Sequence, residues 1–195
     1  MKGYHGTTPK NANSILKTQK IYIEDFSITP DFVIKKEQNL PKDLGQGLYL
    51  FLCDKAKGYD GCAAAKRYAQ IFRNENHKVK VIEFYFDESE LLFLDMNRAE
   101  NKERFKRLRE QIYGKIEIQL AFLKKSGSLK RANLDGIFIE YLIQHKYKNK
   151  VDGVILDTYT PFYSTDRTLS NFPNGRELCL RNVSTIKWEQ TKIVE

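Results

Sequence analysis

The chain has 195 residues, 41% of them hydrophobic and 12% aromatic, and carries a net charge of +8 at pH 7. That length supports one well-buried domain and is short for two, and the positive balance points to anionic partners: nucleotides, nucleic acid or an acidic protein surface. Cys53, Cys62 and Cys179 are odd in number and lack metal-ligand or redox spacing, which argues against a disulfide framework and for a reducing, cytoplasmic setting.

The first notable stretch is Tyr4-His5-Gly6-Thr7-Thr8-Pro9, which reads as strand, tight turn and helix start. Thr8 suits an N-cap and Pro9 the first helical position, after which Ala12, Ile15, Leu16 and Gln19 recur at helical spacing. Gly6 has no Cβ and lets a ligand approach the backbone, so His5 is placed at a strand end beside a cleft. Ile21-Tyr22-Ile23 predicts a short strand, and the polar segment from 24 to 43, with Pro30 and Pro41, a connection that lies over the cleft.

Gly45-Gln46-Gly47 then leads into Leu48-Tyr49-Leu50-Phe51-Leu52. Two glycines this close suggest a turn that aims the first side chains of a strand, chiefly Tyr49. Residues 60–72 predict a small-residue helix with Ala65, Tyr68, Ala69 and Phe72 on one side. Val79 to Phe86 and Leu91 to Leu94 read as strands. From about 99 to 147 the period becomes helical, with Phe105, Leu108, Ile112, Ile116, Leu120 and Leu123 marking one helix and Leu134, Ile137, Phe138, Tyr141 and Leu142 a second after Ser126-Gly127-Ser128. The interleaved charges there read as a solvated helix face. Strands return at Val151 to Asp157 and at Glu177 to Leu180, whose first residue is a carboxylate; between them lies a loop, 158–174, with Tyr159, Phe162, Tyr163, Arg167 and Phe172, closed by an Asn174-Gly175 turn. Val183 to Val194 adds one or two more strands. Met1-Lys2-Gly3 runs straight into Tyr4-His5 without the apolar stretch of a signal peptide, and no run reaches the roughly 20 apolar residues of a membrane span, so a soluble intracellular protein is expected.

Tyr-His-Gly-Thr at 4–7, Gly-Gln-Gly-Leu-Tyr-Leu at 45–50, Tyr68 on the next helix and Glu177 on a late strand resemble, in that order, the His-Tyr-Glu class of ADP-ribosyltransferases, the diphtheria-toxin and poly(ADP-ribose) polymerase-like group, including small bacterial and phage families. The resemblance runs in outline from residue 4 to about residue 185 and implies an α+β fold with a split β-sheet core; the helical pair at about 99–147 lies outside it and reads as an insertion in a single domain over 1–195. The resemblance implies NAD as substrate and no metal. Glu177 would stabilise the oxocarbenium-like ribose, as a glycosidase carboxylate does. His5 would hold the adenosine-side ribose, Gly6 the nicotinamide amide through its backbone, and Tyr49 and Tyr68 would sandwich the nicotinamide ring; Thr7 and Gly47 belong to the same binding motifs. It implies a protein or nucleic-acid acceptor met by the loop before Glu177, a toxin or conflict role, and with a toxin an antitoxin partner. Three departures stand out: Ala65 occupies the place of a serine that also holds the nicotinamide amide in the polymerase-like enzymes, the spacing from Tyr49 to Tyr68 is longer than theirs, and Gly175 stands where arginine-modifying enzymes carry a second carboxylate.

Readings from other classes are a non-catalytic nucleotide or nucleic-acid binding module of the same fold, an NAD-using RNA 2′-phosphotransferase, which needs a phosphate-binding arginine cluster, and a metal hydrolase, for which His5, His77 and His145 lack a ligand motif.

Overall fold

The computed structural model describes residues 1–34, 39–73, 78–89, 91–125, 133–162 and 172–195. His77, Tyr163, Arg167 and the Ser126-Gly127-Ser128 break lie outside them, as do the side chains of Leu120 and Leu123.

The described chain is a mixed α and β structure with seven strands in one sheet. In order come β1 (Lys2–Thr7), α1 (Pro9–Thr18), β2 (Leu48–Leu52), α2 (Gly61–Phe72), β3 (Lys80–Tyr85), β4 (Phe93–Asp95), α3 (Ala99–Lys125), α4 (Asn133–Tyr141), β5 (Gly153–Thr158), β6 (Gly175–Leu180) and β7 (Lys192–Ile193). The strands lie side by side as β4-β5-β6-β2-β1-β3-β7. Only β4 and β5 are parallel.

Alternation along β2 and β6 sets the two faces. Leu48, Leu50 and Leu52 join Leu178 and Leu180 in a core that Ala12 of α1 also enters. Tyr49, Phe51, Glu177 and Cys179 point to the opposite face, which is covered in two halves. Over β1 and β3, α2 brings Ala64 and Ala65 against Phe51 and Val81. Over β5 and β6, α4 and the π-helical turn Leu142–Lys146 bring Ile139 and Ile143 against Val154 and Cys179. A gap remains between these halves. It is widened within the sheet, because β1 and β2 pair only at Tyr4 and Phe51 and then diverge.

Most elements follow the sequence. Thr8 caps α1 by accepting from the Asn11 N–H at 3.3 Å, and Asp60 caps α2 through Ala63. The helical pair turns out to be the crossover between the parallel strands β4 and β5, the connection such strands require. Its second helix is buried on all sides from Gly136 to Ile143.

Three expectations need correction. Ile21 to Ile23 is not a strand: it pairs with none of the described strands, and Ile21 packs into the core while Tyr22 is 88% exposed. The fourth strand begins at Phe93, two residues later than Leu91, where Asp152 accepts from the Leu92 N–H and starts the pairing with β5. Glu177 does not open β6. It is the third residue, paired with Phe51 on one side and Leu156 on the other, because the strand starts at Gly175 and the Asn174 side chain closes the loop by bonding the Thr160 N–H and C=O at 2.9 and 2.7 Å.

The described parts of the connection, 20–34 and 39–47, form no helix or strand of the sheet yet are firmly tied. Gln144 donates to the Phe26 carbonyl and accepts from Ile28, Tyr141 donates to Pro30, and Gln119 accepts from Ile34 and donates to Phe32. Phe26, Ile28 and Ile34 complete the core of the helical pair. The connection therefore runs as a strap over the crossover, and its last residues reach the gap between the two halves.

Candidate active site

The gap forms a cleft of about 320 Å³, in the size range of ligand pockets. His5, Gly6, Tyr49, Tyr68 and Glu177 all line it. They come from β1, β2, α2 and β6, so only the tertiary fold assembles them. Thr7 and Gly47 do not reach it. Thr7 is buried in the β1–β3 ladder opposite Lys80, and Gly47 lies against Cys179 and Leu180, where it lets the turn pack on β6.

His5 bridges the split in the sheet, its Nδ1 donating to the Tyr49 carbonyl at 2.9 Å. A carbonyl only accepts, so the proton sits on Nδ1 and Nε2 keeps its lone pair. Burial lowers the His5 pKa to about 4, helped by the positive charges of Arg73 and Lys42 and opposed by the Tyr49 bond. At neutral pH the ring is an uncharged acceptor, suited to a hydroxyl donor.

Gly6 is required by packing. A Cβ there would run into the Ala65 carbonyl and the Ala69 side chain, so α2 lies directly on β1. Ala65, fully buried, belongs to that contact and stays out of the cleft lining.

Tyr49 is anchored at its hydroxyl, which accepts from the Leu44 N–H at 2.8 Å and donates to the Gly45 carbonyl at 3.0 Å. Burial, first of all, keeps the phenol protonated by raising its pKa. Gly45 has φ 92°, a backbone that side chains disfavour. The turn is held from behind by Glu140, which accepts from the Gln46 N–H at 2.7 Å and pairs with Arg181, and Arg181 donates to the Gln46 carbonyl at 3.1 Å. The Lys42 ammonium stands 5.4 Å from the Tyr49 ring centroid.

Glu177 is oriented by two hydroxyls: Thr158 donates to its Oε1 at 2.6 Å and Thr160 at 3.3 Å. Opposite, Tyr68 stacks obliquely on Phe72 at 4.9 Å and faces Phe51 at 5.9 Å. Phe162 packs down on Phe51 at 6.1 Å and is buried, so it is not an exposed stacking platform. Phe172 is exposed.

Sequence reasoning missed Lys42, Asp43, Arg73, Thr158 and Thr160, all in the lining. A Thr-x-Thr pattern running off an apolar strand was a usable signal, since alternate residues share a face. Lys42 and Arg73 carried none, because a strap and a helix end bring them in. Partial burial of its ammonium and then repulsion from Arg73 lower the Lys42 pKa, which marks two cations facing one space. That pair suits a phosphate-bearing ligand.

Burial pushes the Cys179 thiol up to about 12, and among the described residues no group of three or more His, Cys, Asp or Glu side chains gathers. No described helix is long and apolar enough to cross a membrane. No protein-family model, curated protein or solved structure matches the chain.

Proposed function

We propose that the protein is an ADP-ribosyltransferase-like enzyme that cleaves NAD and transfers ADP-ribose to a protein or nucleic-acid acceptor. The observation that carries this reading is the convergence of His5, Gly6, Tyr49, Tyr68 and Glu177, far apart in sequence, on one cleft. Neutral His5 presents Nε2 to a ribose hydroxyl. The nicotinamide ring lies between Tyr49 and Tyr68, taking the space over Tyr49 that Lys42 occupies, and Lys42 moves with Arg73 to the diphosphate.

The reaction breaks the bond between ribose C1′ and the nicotinamide nitrogen, whose electron pair leaves with neutral nicotinamide. Positive charge develops on the ribose and is stabilised by the Glu177 carboxylate, which Thr158 and Thr160 hold in place. The acceptor's lone pair then bonds to C1′, and its proton passes to solvent. A toxin or conflict role, with an antitoxin partner, follows as part of the same reading.

The test is nicotinamide release by wild type and Glu177→Gln, with and without lysate. Glutamine keeps the shape and loses the charge, so release is expected to fall by about 100-fold or more, with addition of lysate raising only the wild-type rate. One observation favours a second reading: Ala65 is buried and supplies no hydroxyl for the nicotinamide amide. ADP-ribose binding without turnover in either protein would replace the enzyme by a binding module.

A further inference from the structure

The chain's excess charge is concentrated in one stretch of sequence. Residues 99–150 hold thirteen lysines and arginines against six carboxylates, which accounts for seven of the eight net positive charges, while the rest of the chain is close to neutral. We propose that the groove between α3 and the π-helical turn docks the phosphate backbone of a nucleic acid. The claim that this strand is the acceptor rests on the transferase reading; the docking itself does not.

The groove encloses about 320 Å³ and is lined by Arg104, Arg107, Gln111 and Lys146 over Leu108, Leu142 and Tyr147. Arg104, Arg107 and Gln111 recur at helical spacing and share one side of α3. Lys146 faces them from the π-helical turn. All three cations are exposed, and no carboxylate is in the lining.

The charge in this region is not simply a laced, self-neutralised helix face. Glu103 pairs with Arg107, Glu110 with Lys106 and Asp135 with Arg109 at the edges, while Glu140 is buried against Arg181. Arg104 donates to the Tyr147 hydroxyl at 3.0 Å rather than to a carboxylate. Such exposed pairs are weak, so Arg107 can exchange Glu103 for a phosphate at little cost.

A nucleic acid fits better than an acidic protein. Protein partners are held by apolar anchors entering a pocket, and here Leu108 and Leu142 are only 6% and 5% exposed. What the groove offers is a row of cations, an amide and the partly exposed Tyr147 ring, the combination that tracks a charged backbone and stacks a base. The groove belongs to the crossover whose second helix packs on the same sheet face that carries Glu177.

The test is fluorescence polarisation of a labelled 20-nucleotide single-stranded RNA without NAD, at several salt concentrations. Arg104→Ala, Arg107→Ala and Lys146→Ala together are expected to weaken binding about tenfold and to flatten the logarithmic salt slope by about 2, the loss of three phosphate contacts. Lys10→Ala and Lys17→Ala on α1, with Lys20→Ala just beyond its end, remove the same charge and are expected to change affinity less than twofold. Should the groove triple variant fold poorly, Lys146→Glu alone is expected to weaken binding at least threefold. Glu177→Gln should bind RNA like wild type, so loss of turnover and loss of docking are separable. Equal weakening by the two triple variants, displacement of RNA by polyglutamate at equal charge, or no wild-type binding at 0.1 M salt would overturn the proposal.

Discussion

His5 and Glu177 share a cleft yet are held there in different ways. The carboxylate is kept in place by two hydroxyl donors, whereas the imidazole is kept neutral by burial and by two nearby cations. That has a consequence for stability. His5 titrates near its ordinary value of 6.5 when unfolded and at about 4 when folded, so between those values the unfolded chain binds the extra proton and stability falls as pH drops. The His5 contribution is fully present above pH 6.5 and lost towards pH 4, amounting to at most about 2 kcal/mol between pH 7 and pH 5. Urea unfolding at both pH values is expected to show His5→Gln losing less stability on acidification than wild type. Equal losses would mean that the ring titrates normally and is not held neutral.

At the scale of elements, α2 shows how one small residue sets a wall of the cleft. Gly6 allows the helix backbone to lie on β1 at Ala65 and Ala69, and that contact fixes how far Tyr68 stands from Tyr49. Gly6→Ala is expected to cost about 2 kcal/mol or more, because the obstructing atom is a carbonyl within a helix and cannot rotate away. On the transferase reading, nicotinamide release should fall with it, even though no reacting group has been removed. A variant with wild-type melting temperature and turnover would show that α2 has slack. Local sequence made such elements legible: Thr8-Pro9 starts α1, small residues every third or fourth position mark α2, and alternation marks β2 and β6. Ile21 to Ile23 misled because two isoleucines around an exposed tyrosine imitate a strand, and only the sheet's neighbours decide that. The site was legible where a local motif existed, at His5, Gly6, Tyr49 and Glu177. Lys42 and Arg73 were not, since their place depends on ties from Gln119, Tyr141 and Gln144, over seventy residues later for Lys42, and on how α2 ends.

For the whole molecule, one buried ion pair joins three regions. Glu140 is fully buried on α4, its partner Arg181 follows β6, and both grip the Gln46 backbone in the turn that aims Tyr49. Gln144, which also contacts Glu140, holds the strap at Phe26 and Ile28. Breaking such a pair from one side strands a buried charge, so Glu140→Ala is expected to destabilise by about 3–5 kcal/mol. Replacing both partners by Glu140→Met and Arg181→Met removes both charges together and should recover much of that loss. It cannot restore the bonds to Gln46, so the Gly45-Gln46-Gly47 turn stays loose and Tyr49 loses its fixed aim. On the transferase reading, the double variant is therefore expected to regain thermal stability while nicotinamide release remains depressed, with the loss mainly in kcat. Recovery of both together would show that the ion pair serves only to fold the protein, and that the crossover helices have no hold on the cleft.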